Sequence, residues 1–254
     1  MVFLVAALFF ALGAIIASFI GVLVVRLHTG QGFVSGRSRC DACNAPLGFS
    51  ALVPIFSYFV GRGGARCCGA SLSLYAPLTE LLLGFLFVLS YFTLGFTFPL
   101  ALFLVSLSLL LALVLYDFAH QILPPILLII FIVTSILTDF FTVSSFSTFT
   151  DTFLIALLIA LSLALIHFLS GGRAMGLADA PLSFGLALLV GSAALPGFIF
   201  SFWIGAVVGI VILFKRPRGS RIGVEVPFAP FLAAGFILAY FTQWNPFIFV
   251  AVLL

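Results

Sequence analysis

Long apolar runs separated by short polar breaks fill the chain from one end to the other. The first run, 2–25, is long enough to cross a bilayer, since about 20 apolar residues in a helix span the hydrocarbon core. It ends at Arg26 and gives way to a long polar stretch over 27–75. An apolar patch at 51–60 interrupts that stretch but is too short to span. Seven further runs predict helices over 76–94, 98–116, 123–138, 152–169, 180–194, 198–214 and 227–242. Helix breakers mark the junctions: Pro99, Pro124-Pro125, Gly171-Gly172, Pro196-Gly197, Pro217 and Pro227. The tail over 246–254 is too short to span alone. No ten-residue in-and-out alternation of the barrel type occurs. The pattern therefore predicts an all-α polytopic membrane protein of about eight transmembrane helices with a small Cys-containing insert. Its parts are a first transmembrane helix at 1–26, the insert at 27–75, and a membrane domain of about seven helices at 76–254.

Composition agrees with this pattern. Of 254 residues, 64% are hydrophobic and only 7% charged, against roughly 25% charged in soluble domains. The repetition of apolar runs excludes reading the first one as a removable signal peptide. Charge placement then orients the chain. Eight spans sort the connections into two sets. One set, at 27–75, 117–122, 170–179 and 215–226 together with the helix-end Arg26, carries every Lys and Arg. The other, at 95–97, 139–151, 195–197 and 243–254, carries none. Positively charged loops stay cytoplasmic, which predicts both termini outside. The basic residues thus serve orientation and lipid contact, and no nucleic-acid partner is expected. Trp203 and Trp244 fall on the outer side, where an interfacial aromatic belt is expected.

The seven acids are few enough to place one by one. Asp139 and Asp151 fall in a predicted outer loop rich in Ser and Thr and read as solvated. Asp41 lies in the insert, Glu80 near the start of the second span, and Glu225 just before the eighth. Asp117 ends the third span and Asp179 opens the sixth, on the same side and at similar depth. A carboxylate at a membrane edge is costly. Two that meet there meet the requirement for aspartic proteolysis, in which one takes a proton from water while the other, protonated, polarises a peptide carbonyl. Like charges a few ångströms apart do not both ionise easily, so such a pair shares a proton and titrates as a unit. The plainer reading is interfacial capping, with Asp179 at the favourable N-terminus of a helix. A rival of another class, a proton-coupled transporter, also uses intramembrane acids, but calls for acids near the midplane and an inverted repeat. His120 lies one helical turn from Asp117, and His167 near the end of the fifth span reads as a helix-packing residue. All four cysteines lie within 40–68, which points to a local site rather than a disulfide framework. Cys40 and Cys43 have the spacing of a zinc half-site.

The motifs, in order, resemble the prepilin peptidase family, the type IV leader peptidases among the GxGD membrane aspartyl proteases. The segment from Ala17-Ser18-Phe19-Ile20 to Val25-Arg26-Leu27 resembles that family's first-helix ending. Cys40-Asp41-Ala42-Cys43 and Arg66-Cys67-Cys68-Gly69 resemble its double CxxC element, and Pro77-Leu78-Thr79-Glu80 its PLxE segment. Asp117 upstream of Leu123-Pro124 resembles its first catalytic motif, and Gly176-Leu177-Ala178-Asp179 its GxGD motif. Pro227-Phe228-Ala229-Pro230-Phe231 resembles its PFxPF segment. The resemblance implies that Asp117 and Asp179 are the catalytic pair. It implies cleavage of the leader from type IV prepilin or pseudopilin precursors, in a bacterial plasma membrane, at the cytoplasmic face and with no catalytic metal. It also implies N-methylation of the new amino terminus with S-adenosylmethionine, if that activity is retained. The departures are Ala178 for a second glycine, Pro181 for a frequent lysine, and Ala65 where the second CxxC has its first cysteine. Cys40, Cys43, Cys67 and Cys68 remain as a four-thiol set for structural zinc. Three cysteines completed by His28 or water, or a metal-free loop, are the alternatives. A non-catalytic pilus or secretion assembly factor of the same fold is the remaining functional rival.

Overall fold

The computed structural model describes residues 2–29, 42–43, 45–46, 48, 54–61, 63–65, 67–173, 175–215 and 226–246. Cys40, Asp41, Glu225, Arg37, Arg39, Arg62, Arg66, Arg216, Arg218, Arg221 and the side chain of His28 lie outside the described residues. The helices are α1 (Val2–Thr29), α2 (Phe56–Val60), α3 (Tyr75–Leu94), α4 (Phe98–His120), α5 (Pro125–Thr142), α6 (Phe146–Ser170), α7 (Asp179–Val190), α8 (Ala194–Lys215) and α9 (Ala229–Thr242). All but the short α2 match the expected spans one for one. Among the described residues, six apolar helical runs are each long enough to cross a membrane, α7 and α8 counting as one run. The chain is a multi-pass, all-α membrane protein.

Two expectations are corrected. The loop expected at 195–197 is absent, because α8 begins at Ala194 and takes in Pro196-Gly197. Proline is tolerated in a first helical turn, where its missing N–H would have no partner anyway. The break falls earlier, at Gly191, whose φ of 59° is left-handed. Asp139 is not a solvated loop residue either. Helix α5 runs on to Thr142, so Asp139 sits in its last turns, 6% exposed, where its Oδ2 accepts a hydrogen bond from Thr152 Oγ1 at 2.7 Å. Asp151, by contrast, is exposed on α6.

Packing divides the chain into two compact units, Met1–Phe96 and Thr97–Leu254. In the first, α1 lies along α3. A Cβ on Gly13 would meet Leu83 O at 2.7 Å, and one on Gly84 would meet Phe10 O at 2.9 Å. Small residues let apolar helices approach where lipid offers no hydrophobic drive to associate. Phe9 stacks on Tyr91 beside that contact, with ring centroids 4.9 Å apart. Glu80, buried on α3, accepts the N–H of Ile55 at 2.7 Å. Ile55 has a φ of 62°, a conformation costly for a β-branched residue, so the buried carboxylate holds the turn that starts α2.

In the second unit α7 is the core helix. It packs on α5, α6, α8 and α9, and ten of its residues are buried, including Leu182, Leu186, Ala187 and Leu188 at 0% exposure. A helix apolar on every side belongs inside a bundle. Gly185 is its tightest point: a Cβ there would lie 2.7 Å from Phe131 Cε1 on α5. Helix α9 also packs on α4, so it touches both helices that carry the aspartates singled out in the sequence.

Candidate active site

Asp117 occupies the last turn of α4. The helix closes there on Gln121, left-handed at φ 55°, whose N–H returns to Asp117 O at 2.8 Å. Leu123-Pro124 then turns the chain into α5, since a residue before proline avoids the helical region. A carboxylate at a helix C-terminus faces the negative end of the macrodipole. The offsetting partner comes from elsewhere: the backbone N–H of Ala229, first residue of α9, donates to the Asp117 carboxylate. Asp117 is 7% exposed, and its Oδ2 is buried with no hydrogen-bond partner among the described residues.

Asp179 is the first residue of α7 and also 7% exposed. Its N–H donates to Gly176 O at 3.3 Å, and the N–H of Gly176 donates to its carboxylate. The side chain reaches back along the chain as the acid of a capping box does. Its position also suits the positive end of α7. The charge of Asp117 bears on Asp179 across the gap between α4 and α7. Two buried carboxyls, each beside one backbone N–H, thus lie close enough for the charge of one to bear on the other.

The two departures beside Asp179 fit this local structure. Ala178 has φ −69° and ψ −16°, an ordinary right-handed conformation that needs no glycine. Pro181 is the third residue of α7, where its missing N–H would have had no intrahelical partner. His120 packs on the ring of Tyr116, centroids 4.6 Å apart. His167, read from sequence as a packing residue, instead reaches the main-chain carbonyl of Met175, Nδ1 to O 2.8 Å. Sequence reasoning missed the part played by Ala229. The Pro-Phe-Ala-Pro-Phe run flagged a helix start, but which group that start would face depends on the bundle.

Within the first unit a second cluster forms. The thiols of Cys43, Cys67 and Cys68 lie within 4.8 Å of one another, with Sγ–Sγ distances of 3.3 Å for Cys43–Cys67 and 3.9 Å for Cys67–Cys68. The edge of a tetrahedral thiolate site is about 3.8 Å for metal–sulfur bonds of about 2.3 Å. The donor set therefore fits a metal ion. Ala65, in the position of the missing cysteine, is 7% exposed and starts the turn. Its carbonyl accepts from Cys68 N and Gly69 N, while Gly64 bridges to Ser71. The turn thus carries Cys67 and Cys68 at its tip.

Comparison with known proteins gives a consistent picture. Residues 11–94 match the family model described as Bacterial Peptidase A24 N-terminal domain. A protein of Myxococcus xanthus (strain DK1622) named Prepilin leader peptidase/N-methyltransferase is 38% identical over 82 residues, 32% of this chain and 24% of that protein. The protein of that name from Bacillus subtilis (strain 168) is 29% identical over 235 residues, 92% of this chain and 93% of its own length. The one from Dichelobacter nodosus is 31% identical over 200 residues, 77% of this chain and 68% of its own length. No solved structure matches the chain.

Proposed function

The chain belongs to the prepilin leader peptidase/N-methyltransferase family, and on that footing we propose that it is an aspartyl endopeptidase whose reacting groups are Asp117 and Asp179. Its substrates on this reading are type IV prepilin-like or pseudopilin precursors, cut at the cytoplasmic face of a bacterial plasma membrane. The observation that carries the reading is the pair of buried carboxyls at two helix ends, with Asp117 Oδ2 lacking a partner among the described residues.

In this mechanism one carboxylate takes a proton from a water that attacks the scissile carbonyl. The other, protonated, donates a hydrogen bond to the developing oxyanion. The tetrahedral intermediate then collapses as a carboxyl returns a proton to the leaving amine. The backbone donors from Ala229 and Gly176 fix both carboxyls before substrate arrives, the condition under which positioning lowers a barrier. A precursor with a basic leader and a following apolar helix suits such a site. The leader stays with the positive loops on the cytoplasmic side, the helix sits in the bilayer, and the bond between them lies at the edge.

Zinc is the ion we assign to Cys43, Cys67 and Cys68, with Cys40 as the fourth ligand. Bound there, it folds a small segment that lacks a core of its own. The relatives' name also includes N-methyltransferase. Methylation of the new amino terminus by S-adenosylmethionine is a separate proposal for this chain, to which we assign no residues.

The test is co-expression of a prepilin with the wild type, Asp117→Asn and Asp179→Asn. Leader release by the wild type and its loss in both variants is the expected result. Cleavage retained in Asp179→Asn would show the assigned pair to be wrong.

A further inference from the structure

Helix α6 ends at Ser170, directly before a reversal through Gly171 and Gly172, both left-handed, at φ 60° and 76°. The reversal returns the chain over the last turn of the helix. Gly172 N–H donates to His167 O at 2.9 Å, and Ser170 Oγ donates to the same carbonyl at 3.1 Å. The ring of His167 then meets the Met175 carbonyl, Nδ1 to O 2.8 Å. A carbonyl oxygen only accepts, so Nδ1 carries the proton in this contact.

The Met175 carbonyl and the Gly176 N–H belong to one peptide group. The first accepts from His167, and the second donates to the Asp179 carboxylate. Peptide planarity ties the two bonds together, so turning the plane to release His167 also turns the Gly176 N–H away from Asp179. Hydrogen bonds in series also polarise one another. A Cβ on Gly172 would come within 3.3 Å of His167 Cε1, so the ring is confined on its other side.

We propose that His167 is a positioning residue for the reaction: through the Met175–Gly176 peptide it fixes the orientation of the Asp179 carboxyl. The proposal rests on the reading of Asp179 as a reacting group. The group required is an N–H donor placed two bonds beyond Cβ. Asparagine supplies one at the Nδ2 position, which coincides with histidine Nδ1. Glutamine carries its amide one bond too far.

The experiment compares His167→Leu, His167→Asn and His167→Gln in the full chain, reconstituted in lipid nanodiscs, with a prepilin as probe. Misplacing a reacting group by about 1 Å costs up to about 100-fold. His167→Leu and His167→Gln should therefore lower kcat about 10- to 100-fold with KM within about threefold, and His167→Asn should recover most of the loss. Amide exchange in the peptide covering 171–178 reads the same contact without activity. It should speed by about tenfold or more in His167→Leu and Gln, as expected for a lost hydrogen bond, but not in Asn. If Asn behaves like Leu, or if all three match the wild type in both measurements, the proposal is wrong. Wild type that fails to cleave, or Asp179→Asn that still cleaves, counts against the assigned pair instead, and the exchange data then decide the clamp alone.

Discussion

Gly185→Ala tests how α7 is held. The new Cβ would lie 2.7 Å from Phe131 Cε1, 3.0 Å from Phe131 Cδ1 and 3.3 Å from Ile132 Cγ1. Carbon atoms rest at about 3.5–4.0 Å, so at least about 0.8 Å must be opened between α5 and α7. Phe131 is 0% exposed, so its ring moves only at the expense of its neighbours. Overpacking of this kind costs about 1–3 kcal/mol. Asp179 lies six residues back on the same helix, about 9 Å along its axis at 1.5 Å per residue. A rigid helix carries the shift to it, and an error of about 1 Å at a reacting group costs up to about 100-fold in rate. Phe131→Leu alone should cost about 1–2 kcal/mol through the volume it removes. In the double variant the missing ring makes room for the methyl, so the losses should fall short of their sum by about 1–2 kcal/mol. The measurements are unfolding in mixed micelles and initial rates of leader release. Strict additivity in the double variant, or Gly185→Ala within about 0.5 kcal/mol and twofold of wild type, would refute the idea that this glycine sets the approach of α7 to α5.

Further predictions concern single contacts. Ala178→Gly should leave the cleavage rate within about threefold and cost about 0.5–1 kcal/mol of stability, because the position is right-handed and glycine only adds freedom to the unfolded chain; a tenfold faster enzyme would show that alanine restrains the site. Thr152→Val should cost about 1–3 kcal/mol in the same unfolding assay by leaving Asp139 without its donor, whereas Asp139→Asn keeps an acceptor for Thr152 and should cost less; the reverse order would reject the hydrogen bond as the reason Asp139 is buried. The purified protein should carry one zinc per chain by elemental analysis, with Cys67→Ser and Cys68→Ser each lowering occupancy; equal zinc in both variants would remove these thiols from the ligand set.

Much of the fold was legible because lipid imposes strong rules. Apolar length located the long helices of the described residues, and the order of short motifs singled out Asp117 and Asp179 before any geometry was known. Where the reading failed, the failure was local. Pro196-Gly197 looked like a break, yet proline disrupts a helix only beyond its first turn, and no pattern shows where that turn starts. The run after Asp139, rich in Ser and Thr, looked like a solvated loop. Hydroxyls there instead satisfy themselves within helices: Thr142 Oγ1 donates to Thr138 O and Thr150 Oγ1 to Ser147 O, at 2.6 and 2.7 Å. That habit keeps α5 intact past the acid and lets it be buried against Thr152. The contacts of Ala229 and His167 were out of reach for another reason. Both act through main-chain groups, and a sequence names side chains.

The same fact bears on why the two aspartates sit at opposite kinds of helix end. Asp179 begins a helix, where the field of the helix favours a negative charge, and needs only the nearby Gly176 N–H to fix its direction. Asp117 ends one, where that field is unfavourable. It is served by the first residue of a helix distant in sequence, so the start of α9 must be placed by packing rather than by local turns. Ser201 supplies part of that placement: its Oγ, on α8, lies 2.8 Å from Gly197 O and 3.2 Å from Leu232 O, tying α8 to the first turn of α9. A change there should therefore act on Asp117 from the far side of α9. Ser201→Leu should push α9 off α8, draw the Ala229 N–H away from the carboxylate and depress leader release, while Ser201→Ala, which gives up the hydroxyl donor to Gly197 O and Leu232 O but keeps the two helices in contact, should lower it less, by up to about threefold. Equal rates for Leu and Ala would mean that α9 reaches Asp117 without help from α8.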